Sequence, residues 1–162
     1  MIVVSDTSPI TNLAAVGLLD LLHQLYDRVI IPQAVYDEMA SLNYSVPGAL
    51  EVQTLSWIDI QPVSDLTRAK ELQNQLDIGE AEAIILALEL QADLLLIDER
   101  KGRKVAAQCG VKKINGLLGV LLEAKQKKLI PEIKPIVDAL IDHQNFRISD
   151  RLYSRVLQVA GE

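Results

Sequence analysis

Two short apolar runs, each closed by an acid, constrain this chain more than any other feature. Ile2-Val3-Val4 ends at Ser5-Asp6, and Leu94-Leu95-Leu96-Ile97 ends at Asp98. Runs this short, without polar alternation, read as strands buried on both faces, which is the habit of a parallel sheet covered by helices. A third run, Val29-Ile30-Ile31, leads through Pro32 into a helix that carries Val35, Met39 and Leu42, with proline suited to a helix start.

Between and after these strands the chain alternates toward helix. Ser8-Pro9 predicts an N-cap with proline at the first helical position, and Gly17 separates that helix from a second through Leu18, Leu19, Leu21, Leu22 and Leu25. Residues 43–62 are irregular, with Trp57-Ile58-Asp59-Ile60 as a short strand. Asp77-Ile78-Gly79-Glu80 opens a helix through Ile84, Ile85 and Leu88. The remainder reads as one short strand at Val111 and three helices over residues 117–122, 133–141 and 152–159. The expected fold class is therefore α/β: a parallel β-sheet sandwiched by α-helices, with extra C-terminal helices. At 162 residues and 49% hydrophobic content the chain suits one domain, 1–162, with a core over about 1–122 and a helical extension over about 123–162.

Composition removes several functions. No apolar run reaches bilayer length and Asp6 interrupts any leader core, so no membrane role and a cytoplasmic location are expected. A single cysteine, Cys109, and two distant histidines, His23 and His143, supply neither a disulfide nor zinc-ligand spacing. No glycine-rich phosphate loop follows the first strand. The formal charge of -6 disfavours a broad basic nucleic-acid surface, unless some of the acids are gathered around a divalent cation that converts a repulsive site into one that accepts phosphate.

Candidates for such a gathering follow from position. Ligands bind beyond the carboxyl ends of parallel strands, where Asp6 and Asp98 stand; the plain alternative is a pair of turn acids favoured by the following helix dipoles. Glu38 shares a helical stripe with Val35 and Leu42, which predicts that it faces inward, and a carboxylate there is costly unless paired or metal-bound. A helix-edge residue reaching solvent is the alternative. Glu80 completes a capping box with Asp77, so it reads either as a cap or as a ligand, with Glu82 as its rival. Oxygen-only ligands suit Mg2+ or Mn2+, and such a centre can activate water against a phosphodiester.

These residues resemble the landmarks of the PIN-domain family. Val4-Ser5-Asp6-Thr7-Ser8-Pro9, Val29-Ile30-Ile31-Pro32 leading to Val35-Tyr36-Asp37-Glu38, Gly79-Glu80-Ala81-Glu82-Ala83-Ile84 and Leu94-Leu95-Leu96-Ile97-Asp98 look like its motifs in order, nearest to a VapC-like branch. The resemblance covers residues 1 to about 122, and its eighteen-residue step from Glu80 to Asp98 favours Glu80 over Glu82. It implies a Mg2+- or Mn2+-dependent endoribonuclease, of the kind that serves as the toxin of a toxin–antitoxin pair, with an RNA substrate, a small antitoxin partner and a homodimer. It also implies that Ser8 fixes water or phosphate near Asp6, with Asn12 one turn further along. The chain departs from the pattern at Arg100, where many members carry another Asp, and in having Glu as the third acid.

Arg100, Lys101, Arg103 and Lys104 form a basic run beside Asp98 that reads either as an RNA-backbone contact or as a solvated helix face. A second functional class stays open, a catalytically weak PIN fold serving as a nucleic-acid- or protein-binding, dimerising module. A phosphohydrolase with Asp6 as nucleophile would want an aspartate where Ser8 stands.

Overall fold

The computed structural model describes residues 1–41 and 46–162. Five parallel strands form one sheet in the order β3-β2-β1-β4-β5: β1 Val3–Ser5, β2 Val29–Pro32, β3 Ile58–Gln61, β4 Leu94–Leu96 and β5 Ile114–Asn115. β1 lies at the centre, and both β1 and β4 are buried along their whole length, β4 wholly apolar and β1 ending in a buried Ser5 whose hydroxyl donates to the Asp6 carbonyl. Asp6 follows β1 and Asp98 follows β4, so the carboxyl ends of two adjacent strands each deliver an acid.

Helices cover both faces. On one side, α1 (Thr7–Ala15), α2 (Asp20–Tyr26), α3 (Gln33–Met39), α8 (Leu117–Gln126), α9 (Lys134–Gln144) and α10 (Asp150–Val159) share a core that includes Ile10, Leu13, Leu22, Met39, Leu121, Leu140 and Val156. On the other, α6 (Ile78–Glu89) and α7 (Arg100–Gln108) close over Val4, Leu95 and Ile97 with Ile84, Ile85, Val105 and Ala106. The helices beyond residue 122 are part of the main core, since Ile133, Val137 and Leu140 are as buried as Ile10 and Leu13. No helix among the described residues is long and apolar enough to cross a membrane.

Several local expectations are corrected. α1 begins at Thr7 with Asp6 as N-cap, two residues before the expected cap, which leaves the Ser8 hydroxyl available for other partners. Val111 is not a strand residue. α7 ends in a Schellman arrangement with Gly110 at φ 96°, where the Val111 N–H bonds the Ala106 carbonyl, and the strand starts three residues later at Ile114. Two further helices, α4 (Ala49–Thr54) and α5 (Leu66–Leu72), lie where no helix was expected.

Gly119 in α8 is required by a neighbour rather than by its backbone angle. A Cβ there would stand 1.7 Å from Asn115 Oδ1, the atom that accepts the Gly116 N–H at 3.1 Å. Helix propensity alone gives Gly→Ala a gain of roughly 1 kcal/mol. Here Gly119→Ala displaces Asn115 and is expected to destabilise by about 1–3 kcal/mol, read as a lower urea midpoint at unchanged slope.

Candidate functional site

The acids divide into two neighbouring groups. The first surrounds the start of α6. Asp6, only 5% exposed, directs Oδ1 to within 3.3 Å of where a Gly79 Cβ would stand, with Glu38 Oε2 at 3.4 Å and Asp77 Oδ1 at 3.5 Å from the same point. The missing side chain at Gly79 is what lets three carboxylates approach one spot. Glu80 follows, 6% exposed, with Oε2 buried and without a hydrogen-bond partner. The capping box is present as well: Asp77 Oδ1 accepts the Glu80 N–H at 2.8 Å, and Glu80 Oε1 accepts the Asp77 N–H at 3.4 Å. One oxygen of Glu80 therefore serves the cap and the other is left over.

Electrostatics follow from this crowding. Burial, above all, with the Asp77, Glu80 and Glu38 charges, pushes the Asp6 carboxyl up to about 8, against the Thr7 N–H that favours its charge. Burial and Asp77 push Glu80 up to about 7. Among the described residues no three acidic, histidine or cysteine side chains are arranged as a ready metal cage. Three observations nevertheless fit a hard cation: the oxygens converging at Gly79, the unsatisfied Glu80 Oε2, and a donor set made only of oxygen.

Glu38 arrives by a different route from the inward stripe that its spacing predicts. α3 spans Gln33–Met39, Leu42 lies outside the described residues, and Glu38 is exposed rather than inward. Its carboxylate leans back to the rim of the site, where Oε2 accepts the Thr7 hydroxyl at 2.8 Å. Glu82 is engaged elsewhere: its buried carboxylate accepts the Ala34 N–H at 3.1 Å, capping the start of α3.

Asp98 heads the second group. Its Oδ2 accepts the Ser8 hydroxyl at 3.0 Å and its Oδ1 accepts the Leu117 N–H at 2.6 Å at the start of α8. Asn12 donates to Ser8 Oγ at 3.0 Å, so Ser8 and Asn12 form a short chain ending on Asp98 rather than on Asp6. Burial raises the Asp98 carboxyl, opposed by Leu117, Ser8 and Arg103. Asp98 is thus held by the contacts of its own group, with Oδ1 3.2 Å from where a Gly116 Cβ would stand, while the Asp6 and Glu38 oxygens gather at Gly79.

Asp98 instead forms one end of a groove of about 820 Å3, walled by the start of α7, the β5–α8 corner and the connection from α9 to α10. Of the basic run, Arg100 and Arg103 line this groove, while Lys101 and Lys104 are exposed to solvent. Arg103 is turned inward, donating to the backbone carbonyls of Asp98 and Ile97, so it braces the wall. Gly102 beside it allows α7 to approach, since a Cβ would stand 2.7 Å from both Glu80 Oε2 and Ile97 Cδ1.

Sequence reasoning missed Asp77 as a site acid and Thr7 as the anchor of Glu38. Both were legible in principle: Gly79 beside two acids signals close approach, and Asp6-Thr7-Ser8 is a run of side-chain donors and acceptors at a strand end.

Comparison with known proteins yields one finding. A family model described as a PIN domain matches residues 2–162, which includes the C-terminal helices. No curated protein and no solved structure matches the chain. PIN domains are generally nucleases and usually use divalent metal ions. With its five-stranded parallel sheet and with acids at the ends of β1 and β4, the chain belongs to the PIN-domain family, a nuclease-type fold.

Proposed function

We propose that this protein is a Mg2+- or Mn2+-dependent endoribonuclease, with Asp6, Glu38 and Glu80 as the residues that would hold the metal and Asp77 as a further oxygen donor. The observation that carries the reading is the convergence of three carboxylates on Gly79 beside a buried, unpartnered Glu80 oxygen. Acids this crowded are costly without a cation, and their side chains offer it only oxygen. A divalent ion bound there supplies an activated water and offsets charge developing on a phosphodiester.

Asp98 belongs to the same proposed ligand set: the Ser8 hydroxyl and the Leu117 N–H each take one lone pair, orient the carboxylate and leave a lone pair on each oxygen for the cation. Exposed Arg100, Lys101 and Lys104 offer contacts to the RNA backbone, while Arg103 holds its wall. A toxin role, with a small antitoxin partner and a homodimeric state, is part of the same proposal and rests on the likeness of the motifs to VapC-type proteins. Arg100, where many family members carry a further Asp, favours a second reading, a weakly catalytic PIN fold that binds RNA or protein and dimerises.

The two readings separate in a cleavage assay. Glu38→Gln replaces an exposed carboxylate with an amide of the same shape and is expected to lower Mn2+-dependent RNA cleavage by roughly 10–100-fold with little change in melting temperature. Wild-type protein that binds neither ion and cuts no RNA would establish the module instead.

A further inference from the structure

Asn115-Gly116 is the only Asn-Gly pair in the chain; the other asparagines, Asn12, Asn43, Asn74 and Asn145, precede Leu, Tyr, Gln and Phe. The pair forms the half-buried corner between β5 and α8 and lines the groove beside Asp98. Neighbours hold both of its residues. The Asn115 carbonyl accepts the Ile97 N–H at 2.9 Å, and its side-chain amide lies against bare backbone at Gly119, where a Cβ would stand 1.7 Å from Oδ1 and 2.6 Å from Nδ2. At Gly116 a Cβ would stand 3.2 Å from Asp98 Oδ1 and 3.3 Å from Arg103 Nη1, so a side chain there would crowd the seat of Asp98.

The Gly116 N–H points back at the side chain before it, donating to Asn115 Oδ1 at 3.1 Å rather than to a strand. Cγ is bonded to that oxygen, so the nitrogen stands beside the carbon that it would attack, in the manner of a near-attack conformer. Asn115 Nδ2, the leaving group, donates no hydrogen bond among the described residues.

We propose that Asn115-Gly116 is a self-modification site, which converts Asn115 to aspartate or isoaspartate and so disturbs the seat of Asp98 as the protein ages. Solvent base takes the Gly116 amide proton, the nitrogen's electron pair forms a bond to Asn115 Cγ, and the Cγ–Nδ2 bond breaks, releasing ammonia with a proton from water. Water then opens the cyclic imide. Attack at Cγ gives aspartate with the main chain unchanged, whereas attack at the α-carbonyl carbon reroutes the main chain through Cβ and Cγ and gives isoaspartate. Either product adds a negative charge to the groove. Isoaspartate also lengthens the main chain between β5 and α8 and turns the carbonyl that accepts the Ile97 N–H into a free carboxylate. Leu117, whose N–H holds Asp98 Oδ1 at 2.6 Å, follows this corner directly and is displaced with it. The modification needs neither metal nor substrate; only its effect on cleavage rests on the nuclease reading above.

The test follows the wild-type chain in warm, mildly alkaline buffer with EDTA, folded and, in parallel, unfolded in urea. Peptide mapping by mass spectrometry measures amide converted to acid at each asparagine, and enzymatic methyl transfer to isoaspartyl carboxyls marks isoaspartate. In the folded chain Asn115 is expected to convert within about tenfold of its rate in urea and at least about tenfold faster than Asn12, Asn74 or Asn145. Asn115→Gln, which would have to close a larger ring, is expected to block conversion at that position. An Asn115 that stays amide in the fold while the urea sample converts, or conversion spread evenly over the asparagines, would overturn the inference. Aged samples are expected to lose Mn2+-dependent cleavage in proportion to their isoaspartate, and full activity in a fully converted sample would overturn the effect on Asp98. Conversion of Asn115 in a protein that cuts no RNA even when fresh would uphold the modification site and sink the nuclease reading.

Discussion

Asp6→Asn is expected to remove divalent-ion-dependent RNA cleavage, by roughly 10²–10⁴-fold, while making the metal-free protein more stable than the wild type. The two effects have one cause. Asp6 is buried at the end of the central strand among Asp77, Glu80 and Glu38, and its carboxyl is pushed up to about 8. At neutral pH the fold must either protonate that carboxyl or hold an uncompensated charge, at a cost with an upper limit of about 4 kcal/mol. Asparagine keeps the shape and removes the ionisation, which predicts a rise in melting temperature of roughly 5–10 °C in EDTA. Calorimetry beside a cleavage assay checks both halves. A variant that loses activity and stability together would instead mean a structural Asp6.

Acidification of the metal-free wild type is expected to stabilise it over a range where many proteins change little. Burial, with the neighbouring carboxylates, pushes the Asp6 carboxyl from its ordinary 3.8 up to about 8 and Glu80 from 4.5 up to about 7. A raised acid favours the folded state fully below its unfolded value and loses that advantage as pH rises toward the folded value. Stability in EDTA should therefore climb as pH falls from about 8 to about 5. Further down, Asp138, held below its ordinary range by Lys134, and Glu162, held below its own by the Ile133 N–H and Lys125, forfeit their contributions. Saturating Mn2+ should flatten or reverse the slope between 5 and 8, because ion and proton compete for the same oxygens. Melting curves across that interval with and without Mn2+ test the whole statement, and identical slopes would remove Asp6 and Glu80 from the metal site.

The legibility of this fold in its sequence tracks burial. β1, β2 and β4 are short, apolar and flanked by helix starts, so period and position agree. α4 and α5 bury only Val52 and Ala69, and α4 starts from Gly48 in the left-handed region after a proline, so neither carries a stripe that a periodic reading could find. In the site, Asp6 and Asp98 are readable because a strand end is a place. Glu38 was found for a reason that does not hold, since its helix stops at Met39 and the residue is exposed. Which oxygens are already engaged, as with Asp98 at Ser8 and Leu117, is decided by contacts 90 and 19 residues away, and no local pattern records them.

Glu82 has a mechanical consequence. By accepting the Ala34 N–H from within the core, its carboxyl group ties the helix of Glu80 to the helix of Glu38, and neither helix can slide without leaving that N–H unpaired. That half of the cleft behaves as an anvil. Any give in the cleft falls to the opposite wall, where residues 145–149 join α9 to α10 with Asn145, Arg147 and Ser149 exposed and only Phe146 and Ile148 turned to the core.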